Sequence, residues 1–284
     1  MHILKAIIMG IVQGLSEFLP ISSSGHLVIV SNLYEVFTSN KVAEQSTQEV
    51  FLDIMLHLGT LIAVLIYFRK DILHIVKALL NGIKTKDFSD SDAKTGLYIA
   101  LGTIITIAVA LPISGIAEDL IASPIAVGFL LIGTGVLLIG SEIYSKKLEK
   151  RADTVDFKTS VIMAVAQGIA ALPGFSRSGL TIASALLNKG SRVSAARYSF
   201  LLSIPIILGA SMVYPLFKLD LHDVINYNWT AIIAGTIVSG VVGYLCIKYF
   251  LQFVGKYSLA FFGYYCLVVG ALTASFFILV SMGL

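Results

Sequence analysis

Two short stretches of this chain carry residue types that could work on a phosphorylated group. The first, QGLSEFLPISSSGHL, places Gln13, Glu17, Ser22, Ser23, Ser24, Gly25 and His26 in an otherwise apolar segment. The second, PGFSRSGLT, places Ser176, Arg177, Ser178, Gly179 and Thr181 in another. A carboxylate or guanidinium at membrane depth costs several kcal/mol and calls for a partner or a task. Glu17 is a hard oxygen ligand for a divalent cation that could bridge protein and diphosphate. His26 lies three residues from Ser23, within one helical turn. Arg177 has no acidic neighbour in sequence. Two partners suit it: a structural carboxylate from elsewhere, such as Glu17, or the phosphate of a ligand, which matches the planar five-donor fork. Ser176, Ser178 and Thr181 add hydroxyls, and Gly174 and Gly179 let backbone N–H groups turn towards an anion. Both Ser/Gly clusters precede an apolar helix, so their serines are also natural N-caps. A helix start at membrane depth aims free N–H groups at whatever lies between the two clusters. Asp53 and His57 are one helical turn apart, compatible with lining the same cavity or with marking the outer interface.

These residues must be positioned by helices in lipid. Apolar residues make up 57% of 284 positions, charged residues 13%, and mean hydropathy is +0.89. That is about half the charge of a soluble domain. A net charge of +3, dispersed along the chain, argues against a nucleic-acid partner. Cys246 and Cys266 sit in apolar runs and read as free buried thiols. The N-terminal MHILKAIIMG lacks a small-residue cleavage site and is expected to stay in the mature protein. Six segments can span a bilayer: 52–68, 95–116, 124–144, 197–217, 229–251 and 258–281. The stretches 3–33 and 159–187 are broken by Pro, Gly and Ser, and read as re-entrant helical hairpins. Gly128, Gly133, Gly135 and Gly140 read as close helix-packing positions, and Glu142 as an inner-interface charge.

Basic residues orient the chain. Loops 69–94, 145–158 (with Lys150) and 188–197 are rich in Lys and Arg and belong inside. Loops 34–51 (with only Lys41), 117–123 and 218–228 belong outside, as do both termini. Residues 71–84 read as an amphipathic helix on the inner surface. Shifting the sequence by 154 positions lays 6–25 on 160–179, matching Gln13-Gly14 to Gln167-Gly168 and Ser22, Ser24 and Gly25 to Ser176, Ser178 and Gly179. The expected fold is therefore an all-α polytopic membrane protein built as an inverted-topology repeat. Residues 1–155 and 156–284 would each hold one re-entrant hairpin and three spans in a single membrane domain.

With these residues in view, the sequence resembles the undecaprenyl-pyrophosphate phosphatase family of the bacitracin-resistance type. One family signature corresponds to Gln13, Glu17, Ser22 to Ser24, Gly25 and His26; the other, Pro-Gly-x-Ser-Arg-Ser-Gly, is Pro173 to Gly179, with Thr181 beyond. The resemblance implies hydrolysis of undecaprenyl pyrophosphate to the monophosphate, recycling the lipid carrier for cell-wall polymers such as peptidoglycan. It also implies Mg²⁺ or Ca²⁺, a plasma-membrane site open to the outer face, and a homodimer. Carried over, Gln13 and Glu17 belong to the metal and acid/base region, and Ser23 and His26 form the reacting pair. Ser176, Arg177 and Thr181 hold phosphate, alongside Ser22, Ser24, Gly25, Ser178 and Gly179. Gln13 departs from the members with two acids, which weakens any mechanism needing two carboxylates. The rival class is a secondary transporter or lipid flippase, since broken helices in inverted repeats are typical of transporters.

Overall fold

The computed structural model describes residues 2–39, 47–148, 151–218 and 224–282. Lys41 and Lys150, used above for orientation, lie outside the described residues. The described residues form helices joined by short turns. α1 (Ile3–Ser16) and α2 (Ser23–Ser39) make the first hairpin, followed by α3 (Thr47–Tyr67), α4 (Arg69–Thr85), α5 (Ser91–Ile121) and α6 (Pro124–Ser145). α7 (Phe157–Ile169) and α8 (Arg177–Leu187) make the second hairpin, followed by α9 (Arg192–Lys218), α10 (Trp229–Val254) and α11 (Ala260–Ser281). Among the described residues six helices are long and apolar enough to cross a membrane: α3, α5, α6, α9, α10 and α11. Each overlaps one of the six expected spans.

α1, with 14 residues, and α7, with 13, are too short to cross. At 1.5 Å per residue each covers about 20 Å of a core about 30 Å thick. Each stops where Pro and small residues break the helical run, at Pro20 and at Pro173-Gly174. Gly174 has φ +100°, and a Cβ there would sit 2.5 Å from the Val127 carbonyl oxygen, so no side chain fits the turn. In the first turn the same kind of bend falls on Ser22, at φ 71°. Asp156 starts α7 by accepting from the Thr159 N–H at 2.8 Å, and hydrogen bonding from Thr159 holds its carboxylate below the ordinary range.

The hairpins are held by long helices from the other end of the chain. α1 lies along α10, α7 lies along α5, and α6 lies along α11. Small residues permit these approaches: a Cβ on Gly135 would meet the Gly263 carbonyl oxygen at 2.6 Å, and one on Gly128 the Gly270 oxygen at 2.8 Å. Gly133 instead makes room for the Phe175 ring, and Gly140 faces open space, so the packing reading does not extend to it. Phe18, Phe68, Phe200 and Phe250 fill the centre of the bundle, next to the first hairpin's tip. The free thiols Cys246 and Cys266 are buried and donate to carbonyls of that hairpin, Leu15 and Pro20.

α4 shows the expected amphipathic pattern. Ile75 is buried near Gly96 at the start of α5, while Leu73, Val76, Leu80 and Ile83 form an exposed apolar stripe beside it. Lys70, Lys77 and Lys84 lie on the polar side, as suits a helix in the interface plane. Two groups of ion pairs, each built on one buried charge, lie near helix ends. Lys5 of α1 pairs with Glu35 of α2 and Glu49 of α3. Glu142 of α6 is 1% exposed, receives Arg192 Nε and Nη2 at 2.6 Å each, and accepts the Leu259 N–H at 3.0 Å. It is a buried joint between three helices.

Candidate functional site

The tips of the two hairpins meet. Ser178 Oγ donates to the Leu19 carbonyl at 3.0 Å, and Arg177 Nη2 reaches Glu17 Oε1 at 2.7 Å across 160 positions of sequence. The Arg177–Glu17 pairing left open by the sequence is thus present. Arg177 Nη1 also donates to the Ser199 carbonyl on α9 at 3.3 Å, which fixes the plane of the guanidinium. The other carboxylate oxygen, Glu17 Oε2, accepts from Gln13 Nε2 at 3.0 Å and from Ser23 Oγ at 2.6 Å. Gln13 and Glu17 are one turn apart at the end of α1, so one helix face presents both. Gln13 is fully buried, and its Oε1 has no hydrogen-bond partner. A buried amide oxygen without a donor is costly unless something else binds it.

The Ser23 hydroxyl therefore points at a carboxylate and not at an imidazole. His26 turns away: Nδ1 donates to the Ser22 carbonyl at 2.8 Å, and Nε2 faces the Tyr265 hydroxyl at 2.8 Å. The Tyr265 ring stacks on His26 with centroids 5.7 Å apart. The expected Ser23–His26 pair does not form in this arrangement, because the backbone carbonyl four residues back captures the near ring nitrogen.

The remaining hydroxyls divide. Ser22 Oγ accepts the Gly25 N–H at 3.1 Å, and Ser176 Oγ accepts the Gly179 N–H at 3.0 Å; both are N-caps. Thr181 is fully buried and binds Ser199 Oγ and the Arg177 carbonyl, joining α8 to α9. Ser178 is spent on Leu19. Ser23 and Ser24 are only half-buried, as are His26 and Arg177, and these line the accessible side of the meeting point.

Four participants were not singled out, or not placed, by sequence reasoning. Thr134 of α6 binds the Ser176 N–H and the Gly174 carbonyl, holding the second turn. Ser199 orients Arg177, and Tyr265 holds His26. Nothing in the local sequence of these three marks them. His57 of α3, left open with Asp53, has Nε2 3.7 Å from Glu17 Oε2, which sets it beside the carboxylate. Its spacing from Asp53 was the only signal.

Acid, hydroxyl and guanidinium thus converge where two broken helices meet, beside two helix N-termini. Such a site can receive an anion on its positive side and hand a proton to its carboxylate. A family model described as "Bacitracin resistance protein BacA" matches residues 6–272. The chain is 39% identical over 275 residues to an undecaprenyl-diphosphatase from Halothermothrix orenii, covering 95% of this chain and 96% of that one. It is 35% identical over 274 residues to one from Korarchaeum cryptofilum, covering 95% and 97%. It is 35% identical over 285 residues to one from Rubrobacter xylanophilus, covering 98% and 100%.

Proposed function

The chain belongs to the bacitracin resistance protein family, and from that premise we infer that it is a multi-pass membrane phosphatase that hydrolyses undecaprenyl diphosphate to the monophosphate and inorganic phosphate. The observation that carries the chemistry is the shared carboxylate: Glu17 holds Ser23 on one oxygen and Arg177 on the other. The rival transporter or flippase reading finds no support among the relatives, which bear a phosphatase's name.

In the proposed reaction the diphosphate lies between the hairpin tips. Arg177 and the N-terminal N–H groups of α2 and α8 balance charge on the phosphoryl oxygens. Ser23 Oγ attacks the terminal phosphorus while its proton passes to Glu17 Oε2, the atom it already faces at 2.6 Å. The anhydride P–O bond breaks, and Glu17 passes the proton to the departing lipid phosphate. Water then attacks the phosphoserine; Glu17 takes the water proton and returns it to the leaving Ser23 oxygen. His26, anchored by Tyr265, steadies the Ser22 carbonyl and with it the strained turn that carries Ser23.

A divalent cation such as Mg²⁺ or Ca²⁺ belongs to this proposal. The donors fit, because Gln13 Oε1 is a buried oxygen without a partner beside the Glu17 carboxylate. Among the described residues no three His, Cys, Asp or Glu side chains form a metal-holding group, so phosphate oxygens would complete the shell. When bound, the cation supplies positive charge to the diphosphate oxygens. The proposal also includes a homodimer in the plasma membrane, with the site opening outwards. The basic residues of 69–94 and 188–197 support that orientation.

Phosphate release from a prenyl diphosphate by the purified protein in detergent tests the reading. Activity needs no gradient, and Glu17→Gln lowers turnover by about 10²–10⁴. Labelled phosphate is trapped on Ser23 in wild type and not in Ser23→Ala. Lipid movement without phosphate release would return the transporter reading.

A further inference from the structure

His57 sits beside the catalytic carboxylate in a posture that the phosphatase steps above do not use. Its Nδ1 lies 2.8 Å from the Asp53 carbonyl oxygen. A carbonyl only accepts, so Nδ1 carries the hydrogen, and in the neutral ring Nε2 carries the lone pair. Nε2 is 3.7 Å from Glu17 Oε2, beyond hydrogen-bond range. The two atoms are therefore neighbours that do not bond each other. Metal-bound histidines are commonly held in this way, with the second ring nitrogen donating to a backbone carbonyl that fixes tautomer and ring plane. Gln13 Oε1 supplies a further unpartnered donor, on the same amide whose nitrogen touches Glu17.

We propose that His57 Nε2 is a third protein ligand, with Glu17 and Gln13, of the divalent cation, and that this nitrogen makes the site favour Mn²⁺ over Ca²⁺. The inference rests on the cation reading given above. Ca²⁺ takes shells of oxygen, whereas imidazole suits first-row transition ions. Three elements contribute: α1 gives Gln13, the turn after it gives Glu17, and α3 gives His57. A site spread over three elements forms only when the hairpin is seated against α3, so the ion would also fix the hairpin's position.

The test uses the full-length protein in detergent, loaded with Mn²⁺ in the presence of inorganic diphosphate, and pulsed electron paramagnetic resonance as the readout. Wild type is expected to show the hyperfine coupling of a directly bound imidazole nitrogen. His57→Gln, which keeps a polar side chain with an oxygen donor, is expected to lose it. The same substitution should weaken Mn²⁺ by about tenfold or more, with Ca²⁺ affinity changed far less. His26→Gln should retain the coupling. Bound Mn²⁺ without nitrogen coupling in wild type overturns the inference, whether or not His57→Gln folds, and leaves the cation reading intact. Coupling that persists in a folded His57→Gln also overturns it. Hydrolysis that continues in chelator with no bound Mn²⁺ removes the cation and the inference together, while the phosphatase reading stands. An absence of hydrolysis under any metal condition removes the phosphatase reading itself.

Discussion

Arg177 has two occupations in this structure, and they respond differently to substitution. Nη2 neutralises Glu17, and Nη1 is tied to the Ser199 carbonyl, so the fork is held in one plane at the accessible side of the site. A lysine keeps the charge and can still pair with Glu17, but it loses the planar fork needed to grip a phosphoryl group through parallel bonds. Arg177→Lys is expected to stay folded and inserted, with turnover at saturating prenyl diphosphate lowered by about 10²–10³. Phosphate release beside a thermal melt reads both quantities; near-native turnover in a stable variant would leave Arg177 with only its structural pairing. Glu17, Ser23 and Arg177 were legible from sequence because a charge or a hydroxyl cluster inside an apolar run is anomalous. The work of Ser22 and Ser176 was harder to read, since a serine before a helix looks the same whether it caps that helix or faces a ligand. Both cap. Tyr265 and Ser199 left no trace because their partners lie 239 and 22 positions away, and only packing joins them.

At the scale of elements, hydropathy located every long span, but the ends moved. α5 begins at Ser91 and not near residue 95, because Asp90 caps it through the N–H groups of Asp92 and Ala93, and polar residues carry no hydropathy signal. α5 also continues past Pro112 to Ile121, since lipid leaves the backbone little alternative to helix. Glu142 was legible in sequence only as a charge near a helix end, because only the fold brings Arg192 and the Leu259 N–H to it. Its burial makes it an element-scale joint. Removing one partner strands the other charge, which costs about 3–5 kcal/mol. Glu142→Ala is therefore expected to lower the melting temperature clearly, while turnover per folded molecule well below the melt stays close to wild type. A fall in turnover equal to that of Glu17→Gln, with the melt unchanged, would contradict this division between joint and site.

For the whole molecule we propose that the two hairpins descend from one duplicated, inverted unit. The first arm of each packs on the middle span of the other half, α1 on α10 and α7 on α5, and the last spans α6 and α11 pack on each other. On that reading the copies have divided the chemistry. The 154-position shift that sets Ser22 against Ser176 also sets Ser23 against Arg177 and Glu17 against Ala171. Nucleophile and acid remain in one copy, the anion clamp is in the other, and neither hairpin holds a complete site. Inversion requires an odd number of spans between the hairpins, here α3, α5 and α6, so the ends of α4 and of α5 must lie on opposite sides of the membrane. Lys84, exposed near the end of α4, and Ala122, exposed just after α5, report the two sides. Cys246 and Cys266 can stay in place during labelling, being 8% and 0% exposed. In intact cells a membrane-impermeant maleimide is expected to label Ala122→Cys and to spare Lys84→Cys until the membrane is permeabilised. The basic residues of α4 and of its flanks require that order. Labelling of both positions from one side would leave an even number of crossings between them, and the second hairpin would then enter from the same face as the first, which an inverted repeat forbids.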